Sequence, residues 1–131
     1  MSLVVEGLGQ GKITTDFERN LVGQAMLRAA LVNDKTLPEN GVITLFNRIP
    51  LARGLGSSSA AVVGGLLLGN ELTGRGMDEN QILHEATLME GHPDNAAPAL
   101  LGGLCVSVTD EKRRYRFRRF ALDEGLSFLL P

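Results

Sequence analysis

The stretch from Pro50 to Gly65, "PLARGLGSSSAAVVGG", decides how this chain reads. Glycines at 54 and 56 allow a tight turn and a close backbone approach to an anion. Ser57, Ser58 and Ser59 then place hydroxyls and amides at the mouth of an alanine- and valine-rich run with helical character. A helix N-terminus carries unsatisfied N–H groups and a partial positive charge, so the stretch reads as a phosphate cradle. One serine there is explained by capping alone. Three behind "GLG" exceed what a cap uses.

Working outward, residues 42–49, "VITLFNRI", alternate and are rich in β-branched and aromatic side chains, which predicts a strand ended by Pro50. The helix after the serines, from about Ser58 to Leu72, is apolar nearly all round and should be central to the core. Asp78 and Gln81 have capping-box spacing, Met77 and Ile82 take the staple positions, and Gly91 is placed to end that next helix. "GHPDN" (91–95) then leads into a short apolar helix, "AAPALLGG", followed by a strand "LCVSVTD", a charged turn "DEKR" and an alternating strand "YRFRRF". Nearer the start, a strand over Leu3–Glu6 and a glycine-rich turn "GLGQG" precede a helix capped by Thr15 or Asp16. Its buried face should hold Leu21, Val22, Ala25, Met26, Ala29 and Ala30. "LPENG" is a turn, and "GLSFLLP" reads as a strand cut at its last residue, as if the chain were a piece of a longer one. Interleaved strands and helices make the class mixed α and β.

With 131 residues, 44% of them hydrophobic, the chain is one domain's worth with a real core. A net charge of −2 and the absence of any RNP, zinc-finger or basic-helix pattern argue against a nucleic-acid partner. No apolar run reaches the roughly 18 residues of a membrane span, and "MSLVVEG" lacks a signal pattern, so no membrane and a cytoplasmic location are expected. The single cysteine, Cys105, lies in the apolar run "LCVSV" and reads as core in a reducing compartment.

Several decoys fall away. "GLGQGKIT" fails the P-loop pattern twice, with Glu6 in place of the first glycine and Ile13 after Lys12, and reads as a hairpin turn. No G-x-S-x-G elbow supports a serine hydrolase built with His84 or His92, and the spacing of those histidines is irregular for zinc. More telling is the run that brings Glu85 and Glu90 near His92, Asp94 and Asn95. Phosphates need a cation, and Mg²⁺ is satisfied by one carboxylate with a serine hydroxyl and the phosphates themselves. Taken alone, Glu85 also reads as a solvated helix face, and Asp94 and Asn95 as caps.

Together, "PLARGLGSSSAA" and "EGHPDNAAPALLGG" some thirty residues later resemble the GHMP small-molecule kinases and, within them, the homoserine kinase branch. The resemblance runs over nearly the whole chain and implies an α+β fold, the GHMP N-terminal domain of ribosomal protein S5 domain 2-like type. It implies transfer of the γ-phosphoryl group of ATP to the hydroxyl of L-homoserine, with Mg²⁺, on the route to threonine. Pro50, Leu51, Ala52, Arg53, Gly54, Leu55, Gly56, Ser57, Ser58, Ser59 and Ala60 would wrap the triphosphate, and Asn20 would face the adenine. Ser58 and Glu85 take the magnesium positions, with Glu90 the competing carboxylate. His92, Asp94 and Asn95 would line the homoserine pocket, and Asp94 is a weak base candidate because the branch is thought to work without a dedicated base. A homodimer follows by analogy. The family's N-terminal "P-A-T-S-A-N-L-G-P-G-F-D"-like motif and its C-terminal domain are not in this sequence. Residues 1–131 are therefore expected to form part of the N-terminal, ATP-binding domain, inactive by themselves. The alternatives are another GHMP kinase, or a non-catalytic nucleotide-binding or dimerisation fragment.

Overall fold

The computed structural model describes residues 1–111 and 115–129. Strand β1, Ser2–Gly7, pairs in parallel with β2, Val42–Asn47, in a register that sets Leu3 beside Ile43 and Val5 beside Leu45. Parallel neighbours need a crossover, and helix α1, Leu21–Val32, supplies it. The "GLGQG" turn therefore opens no hairpin, contrary to expectation, because the partner of β1 lies beyond the helix. It closes on itself, with the amides of Lys12 and Ile13 both donating to the Gly9 carbonyl.

Helix α1 starts later than Thr15 or Asp16. Thr14 and Asp16 use their side chains on the turn before it, accepting from the amides of Asp16 and Glu18, and such local bonds compete with helix. The cap is Asn20, whose Oδ1 accepts from the Val22 amide at 2.9 Å. Val22, Ala25, Met26, Ala29 and Ala30 are buried as the periodicity predicts, whereas Leu21 is 41% exposed.

Helix α2, Ser57–Leu72, is central, packing on α1, on α3 (Glu79–Glu90) and on α4 (Ala96–Leu101). Val62, Val63 and Leu66 join Ala25 and Ala29 of α1, Ile82, Leu83 and Ala86 of α3, and Ala96 and Ala97 of α4 in one core. Helix α3 has the predicted capping box between Asp78 and Gln81, with Met77 and Ile82 both buried, and Gly91 ends it at φ +82°. Strand β3, Leu104–Thr109, packs on α4 and pairs antiparallel with β4, Tyr115–Phe120. Cys105 and Phe117 rest against the edge of the core, so Cys105 is half-buried rather than interior. Part of the "DEKR" turn lies outside the described residues. Residues 125–129 form no strand, since no neighbour pairs with them there, and the last two residues of that expected strand also lie outside the described ones. Among the described residues no helix is long and apolar enough to cross a membrane.

Candidate active site

Past Pro50 the chain runs exposed from Ala52 to Leu55, with left-handed backbone at Ala52, Gly54 and Gly56. Gly56 is the N-cap of α2 at φ +70° and offers no side chain, so none of the serines is the cap residue of this helix. The first bond of the helix runs from the Ala60 amide to the Gly56 carbonyl. The amides of Ser57, Ser58 and Ser59 thus have no acceptor among the described residues, as at any helix start. These hydroxyls differ in reach: Ser58 is exposed, while Ser59 is 1% exposed.

Both hydroxyls point at one carboxylate. Ser58 Oγ donates to Glu90 Oε1 at 2.5 Å, and Ser59 Oγ donates to Glu90 Oε2. Glu90 is the last residue of α3, where its charge opposes the helix dipole, but it faces the positive end of α2, which offsets that cost. Glu85 goes elsewhere. Five residues along a helix is a rotation of about 140° net, and it turns Glu85 towards α1, where Arg28 Nε lies 2.5 Å from Oε2. The hydrogen bond to Glu85, and secondarily its charge, raise the Arg28 guanidinium above its ordinary range, so that Arg28 stays charged. The structure therefore brings Glu90 to Ser58, and it commits Glu85, the expected partner of Ser58, to an interhelical ion pair.

In the "GHPDN" loop His92 is exposed, and Asp94 Oδ1 accepts from Ser107 Oγ at 3.3 Å. His84 lies apart, on a small hollow with Val32, Asp78 and Gln81. Asn95 stands at the N-cap of α4 with φ −96° and ψ −29°, a helical conformation in place of the extended one that caps use, and its side chain makes no capping bond. It lies instead against the serine loop, for a Cβ built on Gly56 would stand 3.7 Å from that of Asn95. The two motifs that are remote in sequence thus meet at Gly56 and Asn95.

A cavity of about 690 Å³ opens between β2, α1 and α2, reached from the serine loop at Ser57 and Ser58, its wall mostly apolar and including Asn20, Leu21, Leu45 and Leu51. Its size is that of a small-molecule site. Asn20 is buried in the wall with its amide engaged at both ends, Oδ1 on the Val22 amide and Nδ2 on the Thr14 carbonyl at 2.7 Å.

Unpaired amides at the head of a buried helix, with an apolar cavity alongside, are features that suit an anionic small-molecule ligand. Residues 20–103 match the GHMP kinases N terminal domain, and the chain belongs to that family. Its mixed α and β architecture is the one that the sequence motifs imply. It is similar to the homoserine kinase of Caldanaerobacter subterraneus subsp. tengcongensis, 44% identical over 132 residues, covering 98% of this chain and 40% of that protein. It is also similar to the homoserine kinase of Lactiplantibacillus plantarum, 50% identical over 101 residues, covering 77% of this chain and 33% of the relative. Among solved structures, homoserine kinase from Cytophaga hutchinsonii superposes with a TM-score of 0.66 at 29% identity, over 91% of this chain and 39% of that one. A Listeria monocytogenes protein assigned to the homoserine kinases gives 0.77 at 33% identity, over 99% and 48%. The chain spans about 40% of the length of the first of these curated relatives.

Proposed function

We propose that this chain supplies the nucleotide-phosphate site and part of the amino-acid site of a homoserine kinase. The homoserine hydroxyl oxygen forms a bond to the γ-phosphorus of ATP, the bond from that phosphorus to the β,γ-bridging oxygen breaks, and ADP leaves while the hydroxyl proton passes to solvent. The products are O-phospho-L-homoserine and ADP, on the route to threonine. The observation that carries the reading is the meeting of the serine loop with the "HPDN" loop at Gly56 and Asn95.

In this reading the loop from Pro50 to Ala60 holds the triphosphate, the amides of Ser57–Ser59 facing its oxygens, and the base occupies the cavity beside Asn20. A carboxylate beside phosphates calls for a cation. The donor set fits Mg²⁺, since the Ser58 hydroxyl and the half-buried Glu90 carboxylate are both hard oxygen donors, 2.5 Å apart. Mg²⁺ held by Ser58 and Glu90 would offset charge on the transferred group. His92, Asp94 and Asn95 form the amino-acid side. Phosphoryl transfer through a loose transition state depends on alignment and charge more than on early proton removal, so Asp94 serves by positioning the substrate.

The test is steady-state kinetics on the full-length protein carrying this sequence. Asn95→Ala should raise the KM for homoserine about tenfold, as loss of a hydrogen bond to a charged group does, and leave the KM for ATP within about twofold, well inside the worth of one such bond. Equal effects on both substrates would reduce Asn95 to a helix-terminal residue.

A further inference from the structure

The glycine turn that failed as a P-loop has a different use. Leu8 N–H donates to the Asn47 carbonyl at 2.9 Å, and the Asn47 side chain returns the contact, with Nδ2 donating to the Leu8 carbonyl at 2.7 Å. The same Nδ2 donates to the Ile49 carbonyl at 3.1 Å, while Oδ1 accepts from the Ile49 amide at 3.1 Å. One amide thus fastens the last residue of β2 to the glycine turn and to the residue before Pro50. Backbone before a proline is already restricted. The turn meets the chain again two residues on. A Cβ on Gly9 would lie 2.6 Å from Leu51 Cδ1 and 3.1 Å from Ile13 Cδ1, so Leu51 rests directly on the bare backbone of Gly9. Gly7, at φ +85°, has the same close fit, with a Cβ there falling 2.4 Å from the Asn47 carbonyl oxygen. Residues 47–51, the root of the serine loop, are therefore gripped at two points by residues 7–9, and the exposed span from Ala52 begins only where the grip ends.

We propose that the turn 7–11 is the platform that aims the phosphate-binding loop, and that Asn47, which also lines the cavity beside Asn20, acts on nucleotide binding as a positioning residue through Ile49 and Leu51; Gly9, which does not line that cavity, separates this role from direct contact. This rests on the function proposed above for residues 50–60. The platform itself follows from the contacts alone, and the two are tested separately.

The experiment pairs Asn47→Ala with Gly9→Ala, which strains the turn at its φ of +83° and crowds Leu51, so that the grip is attacked from opposite sides, and adds Asn47→Asp. The aspartate keeps an acceptor for the Ile49 amide but turns an oxygen towards the Leu8 and Ile49 carbonyls, so it should rescue nothing. Trypsin cleavage after the exposed Arg53 reads the aim of the loop without any ligand. Cleavage there is expected to rise about tenfold, the worth of one lost net hydrogen bond, in all three variants at temperatures where far-UV circular dichroism shows them folded. In kinetics on the full-length protein, the KM for ATP should rise by a similar factor, with kcat and the KM for homoserine changing much less. Unchanged cleavage overturns the platform. Raised cleavage with an unchanged KM for ATP overturns the positioning role. A wild-type protein that neither binds nor uses ATP would overturn the proposed function and with it the positioning role, while the cleavage comparison would still decide the platform. Should Asn47→Ala fail to fold, Gly9→Ala carries both measurements.

Discussion

Glu90→Gln is expected to lower homoserine-dependent ADP release by the full-length protein about a hundredfold, the usual cost of removing one charge-stabilising contact. Raising Mg²⁺ should restore part of the loss. Glutamine is the informative replacement because Ser58 and Ser59 hold both carboxylate oxygens. An amide keeps one acceptor for them, and the other hydroxyl can turn to accept, so the fold stays while the charge goes. Glu85→Gln should behave in the opposite way. Its loss breaks the pair with Arg28 and lowers stability by about 1 kcal/mol, since the exposed side of the pair is screened. The Arg28 side chain is 39% exposed, which is why the figure is small. Turnover at saturating Mg²⁺ should stay near that of the wild type. Parallel activity losses in the two variants would remove the distinction between these carboxylates.

Adjacent glycines in α2 should respond to alanine with opposite signs. A Cβ on Gly65 would stand 2.5 Å from the Val22 carbonyl oxygen and 2.7 Å from Ala25 Cβ. One on Gly69 would stand 2.7 Å from Met26 Cα. Two of these obstacles are α1 backbone atoms, which cannot rotate aside, so the helices must separate. Overpacking of this kind costs roughly 1–3 kcal/mol per site, occasionally more, against a gain in helix propensity of about 1 kcal/mol. Net destabilisation is therefore expected for Gly65→Ala and Gly69→Ala, and a larger one for the pair. Gly64 has open space where its Cβ would go, so Gly64→Ala should gain up to about 1 kcal/mol. Urea unfolding of the three single variants checks the order, and stabilisation by Gly65→Ala would mean that the helices do not meet so closely.

Much of this architecture is legible in the sequence because local chemistry and tertiary packing agree. The α3 cap, its terminating glycine and the buried face of α1 each have a short-range signal that nothing else contradicts. Where two signals compete, the sequence underdetermines the result. Thr15 and Asp16 have the chemistry of caps, yet Asp16, with Thr14, spends that chemistry on the preceding turn, and the role falls to Asn20. A glycine-rich turn after a strand looks like a hairpin unless one knows that the partner strand lies beyond a helix. Glu85 and Glu90 differ only in which neighbour each faces, and that depends on the packing of α3 between α1 and α2. A finer reading of helical phase separates them, since Glu85 follows the buried Ile82 while Glu90 abuts the glycine that opens the "HPDN" loop. The role of Asn47 leaves no sequence signal, because its partners at 8 and 49 are backbone groups.

The bare start of α4 has a thermodynamic meaning. Helices of this length, six residues, are marginal without help, and a side-chain cap would add about 1 kcal/mol. Asn95 occupies the position but withholds the bond. Any ligand that engages its amide and fixes the loop therefore adds to the folded state an interaction that the free protein lacks, and occupancy and unfolding become linked equilibria. At a hundred times its dissociation constant such a ligand would raise the unfolding free energy by about 2.7 kcal/mol, with slowed amide hydrogen exchange in 95–101 as the local sign. Under the proposed function, stability and recognition would compete for this single amide, and a side chain that capped α4 better would recognise less.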